Sequence, residues 1–165
     1  METHRYLIAL GSNVRHRRFG SPRQVLAAAL ARMEESGLHL DRVSDIRSTA
    51  PLGPSLRRFA NAAAVIRTGK TPLEVLAGLK RIEREFGRSR GGQPWSARVL
   101  DLDIVLWNGG CWGTDELLVP HPEFRDRSFV LHPAAEIVPG WRDPISGLTV
   151  RQLFARLTRP QPVPR

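Results

Sequence analysis

Apolar and polar positions change period several times along this chain, and each change marks an element. The apolar run from Arg5 to Gly11 is cut by Gly11-Ser12-Asn13, which predicts a first strand. Ser21-Pro22 then supplies an N-cap and a proline at the first helical position, and Val25, Leu26, Ala29, Leu30 and Met33 fall on one helical stripe ending at Gly37. A second strand is expected from Leu38 to about Thr49, bulged because its alternation is poor. Ala50-Pro51-Leu52-Gly53-Pro54 reads as a loop. Phe59, Asn61, Ala63 and Val65 alternate with Ala60, Ala62, Ala64 and Ile66, the pattern of a strand buried on both faces. Thr71-Pro72-Leu73-Glu74 is a capping box, and Leu76, Leu79, Ile82, Glu83 and Phe86 follow at helical spacing up to Gly87. An Arg/Gly-rich loop separates this helix from the apolar run Val99 to Trp107.

The order strand, helix, strand, strand, helix, strand predicts an α+β fold of the ferredoxin-like βαββαβ kind, an antiparallel sheet with helices on one face. The remainder reads as a C-terminal loop and helix extension. It has a loop and short helix within Val119 to Pro133, a turn at Asp143-Pro144-Ile145-Ser146-Gly147, and a small amphipathic helix carrying Val150, Leu153, Phe154 and Leu157. Pro160, Pro162 and Pro164 mark a flexible tail, so residues 1–158 are expected to form a single domain and 159–165 a proline-rich end.

Asp101 and Asp103 lie two residues apart in the last of these strands. A strand has a side-chain period of two, so both carboxylates leave one face while Leu100, Leu102, Ile104 and Leu106 are expected on the other. Two negative charges roughly 7 Å apart on a half-buried strand cost folding energy unless cations or hydrogen bonds compensate them. Magnesium, with the phosphates it carries, is the usual compensation; a solvated pair on an exposed face is the alternative for so short a motif.

Composition narrows the setting. At 165 residues and 41% hydrophobic, one domain with its own core is expected. Net charge is +9, and all but Lys70 and Lys80 of the 25 basic residues are arginine, the better planar fork for phosphate oxygens. These residues are dispersed, apart from Arg15-His16-Arg17-Arg18, which argues against a nucleic-acid arm and for an acidic small-molecule partner. The single Cys111 excludes an internal disulfide and a cysteine-built zinc site. Tyr6 to Leu10 is too short for a signal segment, and no run approaches the ~18 apolar residues of a membrane span. A cytoplasmic protein, monomeric and without a membrane partner, is the expectation.

Other residues could carry chemistry with the acid pair. Arg88, Arg90 and Arg98, interleaved with Gly91, Gly92 and Trp95, form a basic flap able to close over a polyphosphate and exclude water, or else a solvated surface loop. His121, flanked by prolines, is conformationally fixed as a phosphate donor should be, although a lone histidine is more often a packing or turn residue. Arg127 and Phe129 carry the same ambiguity between site and scaffold. Phe59 and Asn61 share a strand face, where an aromatic plane and a two-way amide could meet a flat heterocycle with an amide edge; an ordinary core Phe with a backbone-bonded Asn is the other possibility.

Seven blocks in order carry a resemblance: Tyr6-Leu7-Ile8-Ala9-Leu10-Gly11-Ser12-Asn13, Thr49-Ala50-Pro51-Leu52-Gly53, Phe59-Ala60-Asn61-Ala62-Ala63, Gly87-Arg88, Trp95 with Arg98, Leu100-Asp101-Leu102-Asp103-Ile104, and Val119-Pro120-His121 through Arg127-Ser128-Phe129. Together they closely resemble the 6-hydroxymethyl-7,8-dihydropterin pyrophosphokinases of folate biosynthesis, from about residue 5 to 157. The resemblance implies transfer of pyrophosphate from ATP to the pterin hydroxymethyl oxygen with release of AMP. It also implies two Mg2+ ions on Asp101 and Asp103, with Arg88 and Arg98 as catalytic arginines. By the same likeness Arg90, Trp95, His121 and Arg127 would bind ATP. Phe59 and Phe129 would sandwich the pterin, Asn61 would read its polar edge, and backbone around Thr49 and Leu52 would complete the pocket. Phe59 stands where tyrosine is common, which keeps the stacking plane, and Lys80 where glutamine is common. Two other classes fit parts of the pattern. A nucleotidyltransferase also uses Gly-Ser and paired carboxylates, but with the acids close behind Gly-Ser, and an RNA-binding sheet would need its aromatics away from an acid pair.

Overall fold

Alternation along the first strand gives it two apolar faces, and the two sides of the sheet are covered by different helices. This computed structural model describes residues 2–49, 58–87, 98–160 and 162–163. Strands β1 (His4–Ser12), β2 (His39–Val43), β3 (Arg47–Thr49), β4 (Phe59–Thr68) and β5 (Asp101–Trp107) form one antiparallel sheet in the order β2-β4-β1-β5, with β3 also pairing β4. The long second strand expected from Leu38 to Thr49 is thus two short ones. The bulge lies between Leu40 and Arg42, and Ser44 turns inward, its Oγ accepting the Ala63 N–H at 2.9 Å.

Helices α1 (Pro22–Glu35) and α2 (Pro72–Glu85) start where the sequence places them. Each has proline in its first turn; Ser21 Oγ accepts the Gln24 N–H at 3.3 Å while Gln24 Oε1 accepts the Ser21 N–H at 2.8 Å, and Glu74 Oε1 accepts both the N–H and the hydroxyl of Thr71, at 3.0 and 2.9 Å. Their apolar stripes, Val25, Leu26, Ala29 and Met33 with Val75, Leu79 and Ile82, pack on Tyr6, Ile8 and Leu10 of β1, on Ala62, Ala64 and Ile66 of β4, and on Leu102 and Ile104 of β5. Gly37, at φ +89°, turns the chain out of α1 in a conformation that excludes most side chains.

The C-terminal part is more than an extension at the margin. After a small hairpin of β6 (Trp112–Gly113) and β7 (Leu118–Val119) and a 3-10 turn at Phe124–Asp126, helices α3 (Ser128–Ile137) and α4 (Val150–Thr158) cover the sheet face opposite α1 and α2. Val130, Leu131, Ala134 and Ile137 of α3, with Val150 and Leu153 of α4, bury Leu7, Ala63, Val65, Val105 and Leu106. The sheet is therefore sandwiched, which explains why β4 is buried on both faces. Leu106 does not join Leu100, Leu102 and Ile104 as period two requires. The β1 partners Leu7 and Ile8 face Leu106 and Ile104, so Val105 is an extra residue, and the bulge moves Leu106 to the α3 face.

Candidate active site

Register places the candidate residues before any side chain is considered. Residues directly opposite one another in antiparallel strands project from the same face. Arg47 of β3 faces Asn61 of β4, Asn61 faces Gly11 of β1, and Gly11 faces Asp101 of β5, so four strands contribute one row. The next row is Ala63, Ala9 and Asp103, and the one beyond is Val65, Leu7 and Leu106, which α3 and α4 bury. The same face thus runs from a covered apolar half into a polar half whose floor is made of the two smallest residues, Gly11 and Ala9.

Asp101 and Asp103 are both partly exposed on that polar half. Arg98 is held there by a reciprocal pair: its backbone N–H donates to Asn13 Oδ1 at 2.7 Å, and the Asn13 N–H donates to the Arg98 carbonyl at 3.1 Å. Its guanidinium Nη1 then reaches Asp101 Oδ1 at 3.1 Å. Behind the pair, buried Glu83 of α2 accepts the Leu102 N–H on Oε2 at 2.8 Å, fixing the strand between the two aspartates, and Lys80 Nζ lies 3.7 Å from its other oxygen.

His121 approaches from the outer edge of β5. Its N–H donates to the Val105 carbonyl at 3.0 Å, after a cis Val119-Pro120 bond, and its Nδ1 accepts the Glu123 N–H at 3.1 Å. Nε2 is then the nitrogen that carries the proton in the neutral ring. Burial is the largest influence on His121 and lowers its pKa from the ordinary value; the Asp103 charge opposes it, the Arg127 charge adds to it, and Glu123 pulls weakly upward. Arg127 pairs with Glu123 and lies over the Phe129 ring, 5.7 Å from its centre. Phe129 is half-buried in the first turn of α3. Asn61 Nδ2 donates to Thr49 Oγ1 at 3.0 Å, which leaves Oδ1 as the acceptor it can offer, and Phe59, paired with Thr49, is half-buried one row further out.

The structure thus brings Arg98, Asp101, Asp103, His121, Arg127, Phe129, Asn61, Thr49 and Phe59 to one end of the sheet around the polar half of one face. Leu52, Arg88, Arg90 and Trp95 lie outside the described residues. Thr49, whose backbone is expected to help complete the pocket, bonds Asn61 through its hydroxyl. Sequence reasoning gave no role to Asn13, Glu83 or Arg47. Glu83 left a signal, a carboxylate within an apolar helical stripe, whereas Arg47 became visible only through register. Among the described residues no cluster of three metal-ligating side chains occurs. Any cation there would draw on the two aspartates and on oxygens that a ligand supplies.

The family model described as 7,8-dihydro-6-hydroxymethylpterin-pyrophosphokinase matches residues 7–139. A Synechocystis protein named 2-amino-4-hydroxy-6-hydroxymethyldihydropteridine pyrophosphokinase is 33% identical over 157 residues, 94% of this chain and 77% of its own length. Proteins of the same name from Bacillus subtilis and Pseudomonas aeruginosa are each 39% identical; the alignments cover 79% and 85% of this chain and 75% and 84% of theirs. The solved structure of wild-type Plasmodium falciparum HPPK-DHPS superposes with a TM-score of 0.71 at 14% identity, which is a likeness of fold; 94% of this chain is covered and 45% of that one, so the chain spans less than half of it.

Proposed function

The chain belongs to the 7,8-dihydro-6-hydroxymethylpterin-pyrophosphokinase family, and from that premise we propose that ATP gives up its pyrophosphoryl group here to the hydroxymethyl oxygen of 6-hydroxymethyl-7,8-dihydropterin, with release of AMP, as a step of folate biosynthesis. The observation that supports the reading best is the row Asn61, Gly11, Asp101, in which an amide and one of the two carboxylates are separated only by a glycine floor, with Asp103 in the next row across Ala9.

The acid pair suits magnesium. That ion is commonly held by one or two carboxylates plus substrate phosphates, and Asp101 and Asp103 offer such a set on one open face. Two Mg2+ ions bound there would neutralise charge on the polyphosphate and ease loss of the hydroxyl proton. The chain's own work is positioning and charge. Arg98, with Arg88, balances negative charge on the transferred group. His121 donates from Nε2 to a phosphate oxygen, Arg127 exchanges Glu123 for another, and Arg90 and Trp95 complete the ATP contacts. Phe59 and Phe129 stack on the pterin. Asn61 Oδ1 accepts from its amide edge, with Thr49 and Leu52 closing the pocket.

In this reading α1 and α2 with the four main strands are a ferredoxin-like unit, and the C-terminal extension is its second cover. Residues 1–158 act as a single pyrophosphokinase domain and 159–165 as a flexible tail. No helix among the described residues is long and apolar enough to cross a membrane. The protein works as a cytoplasmic monomer on small molecules, without nucleic acid. Incubation with ATP, magnesium and the pterin alcohol, followed by mass analysis, tests the reaction. AMP and the pterin pyrophosphate are expected; release of inorganic pyrophosphate, or no transfer, overturns it.

A further inference from the structure

Arg47 is the fourth member of the row that contains Asn61 and Asp101, and its guanidinium is only partly used. Nη2 donates to Glu136 Oε1 at 2.8 Å. The other oxygen of Glu136 accepts the Asp45 N–H at 2.6 Å, and Arg47 meets the carboxylate through Nη2 without the fork-to-fork pairing common for arginine and carboxylate. Arg47 Nε is left buried without a hydrogen-bond partner, although the side chain as a whole is 34% exposed. A buried donor of this kind calls for an explanation, and a ligand that completes it is one.

Three observations say what that ligand offers. The row places Arg47 directly across from Asn61, at the usual 4.5–5.5 Å spacing of facing strand residues. Glu136 holds the guanidinium from the α3 side. The fork has parallel N–H groups to give, which match two adjacent acceptors on a planar ring, as arginine matches the carbonyl oxygen and ring nitrogen of guanine. The pterin of the proposed reaction carries such an edge, its ring carbonyl oxygen beside the imine nitrogen of the dihydro ring. We propose that Arg47 is a specificity-determining residue that donates to the carbonyl edge of the pterin, with Glu136 as the positioning residue that aims it. The inference rests on the pterin reading of this site.

The test compares two ligands on two proteins by calorimetry: the pterin alcohol, and its analogue in which an amino group replaces the ring carbonyl. Arg47→Met should weaken binding of the pterin alcohol about tenfold and raise its KM, with kcat changed less than about threefold; each tenfold step corresponds to about 1.4 kcal/mol. Binding of the amino analogue, which presents a donor where the carbonyl was, should not weaken. Arg47→Lys keeps the charge without the planar fork and should fall between, which also covers a methionine variant that folds poorly. Equal weakening of both ligands, or no change for either, makes Arg47 a strut for Glu136 and overturns the proposal. Failure of the unaltered protein to bind the pterin alcohol would instead overturn the pterin reading, and this inference with it.

Discussion

Asp143 and Asp101 each face an arginine, and the two pairs sit in opposite circumstances. Asp143 is fully buried, and the fold supplies everything around it. Arg125 Nε and Nη2 donate at 2.6 and 2.8 Å, the Ser146 hydroxyl at 2.6 Å and the Ile145 N–H at 3.0 Å. Burial alone would raise its pKa; these donors outweigh it and bring the carboxyl down to about 2. Asp101 meets Arg98 through one Nη1–Oδ1 contact at 3.1 Å, with the two side chains 26% and 37% exposed. The first carboxylate is enclosed by the fold, although its partner Arg125 keeps 26% of its side chain exposed; the second stands with its arginine at an open face, where the proposed reaction would use it. An Arg–Asp pair in sequence says neither; enclosure decides.

The sharpest way to break this comparison is to remove the open carboxylates. Asp101→Ala or Asp103→Ala should lower turnover at least about a thousandfold, some 4 kcal/mol on the barrier, while pterin binding without nucleotide and the melting temperature stay near wild type. AMP release measured by quenched flow and pterin titration read the two arms. Near-normal AMP release from both variants would make the pair an ordinary surface feature.

The closed pair should fail differently. Asp143→Ala strands Arg125 and loses the turn that Ser146 and Ile145 complete, so a stability loss of about 3 kcal/mol is expected in urea, with turnover per folded molecule unchanged. Its pH dependence has a definite sign. The folded pKa is depressed, so the stabilisation is complete above the ordinary carboxyl value near 3.8 and is lost as pH falls toward about 2. Between those limits the urea midpoint of the wild type should drop more steeply than that of Asp143→Ala.

Arg98→Ala comes next, at about a hundredfold in kcat, or about 2.7 kcal/mol. Its backbone carries both bonds to Asn13, and these survive the substitution, so melting should hardly move. Unfolding of the variant would transfer Arg98 to the closed class with Arg125.

How much of this division could be read from the chain depends on range. Local signals sufficed for the capped starts of α1 and α2, for the doubly buried β4 and for the shared face of Asp101 and Asp103, because periods of two and 3.6 act over a few residues. The bulge at Val105 was not legible, since an extra residue in β5 is defined only against its partner β1, and with it went the side on which Leu106 packs. The C-terminal helices looked peripheral because their apolar faces do not name the surface they meet, which proves to be the far side of the sheet. Within the site, Asp101, Asp103, Asn61 and His121 were readable as chemistry out of place in apolar or proline-bound runs. Arg47 and Asn13 were not, being one of many arginines and a turn residue until register and a contact 85 positions away gave them neighbours.

Gly11 offers the finest test of the comparison, because it lies between the two sides of the open site and contributes no side chain. A Cβ built there would meet Asn61 Oδ1 at 3.5 Å and the Ala60 carbonyl at 4.0 Å, ordinary contacts that require no rearrangement, and the residue has no left-handed φ to defend. In a closed region such a methyl would fill space already taken; here it adds height to the floor between Asn61 and Asp101, where the reading places a substrate. Gly11→Ala is therefore expected to shift the melting temperature by no more than about 2 °C, a stability change of under about 0.5 kcal/mol, while kcat/KM for the pterin falls about tenfold. Calorimetric melting beside steady-state kinetics measures both. A variant that melts early yet turns over normally would reverse the assignment, because the cost of that methyl would then fall on the packing of the sheet and leave the ligand untouched.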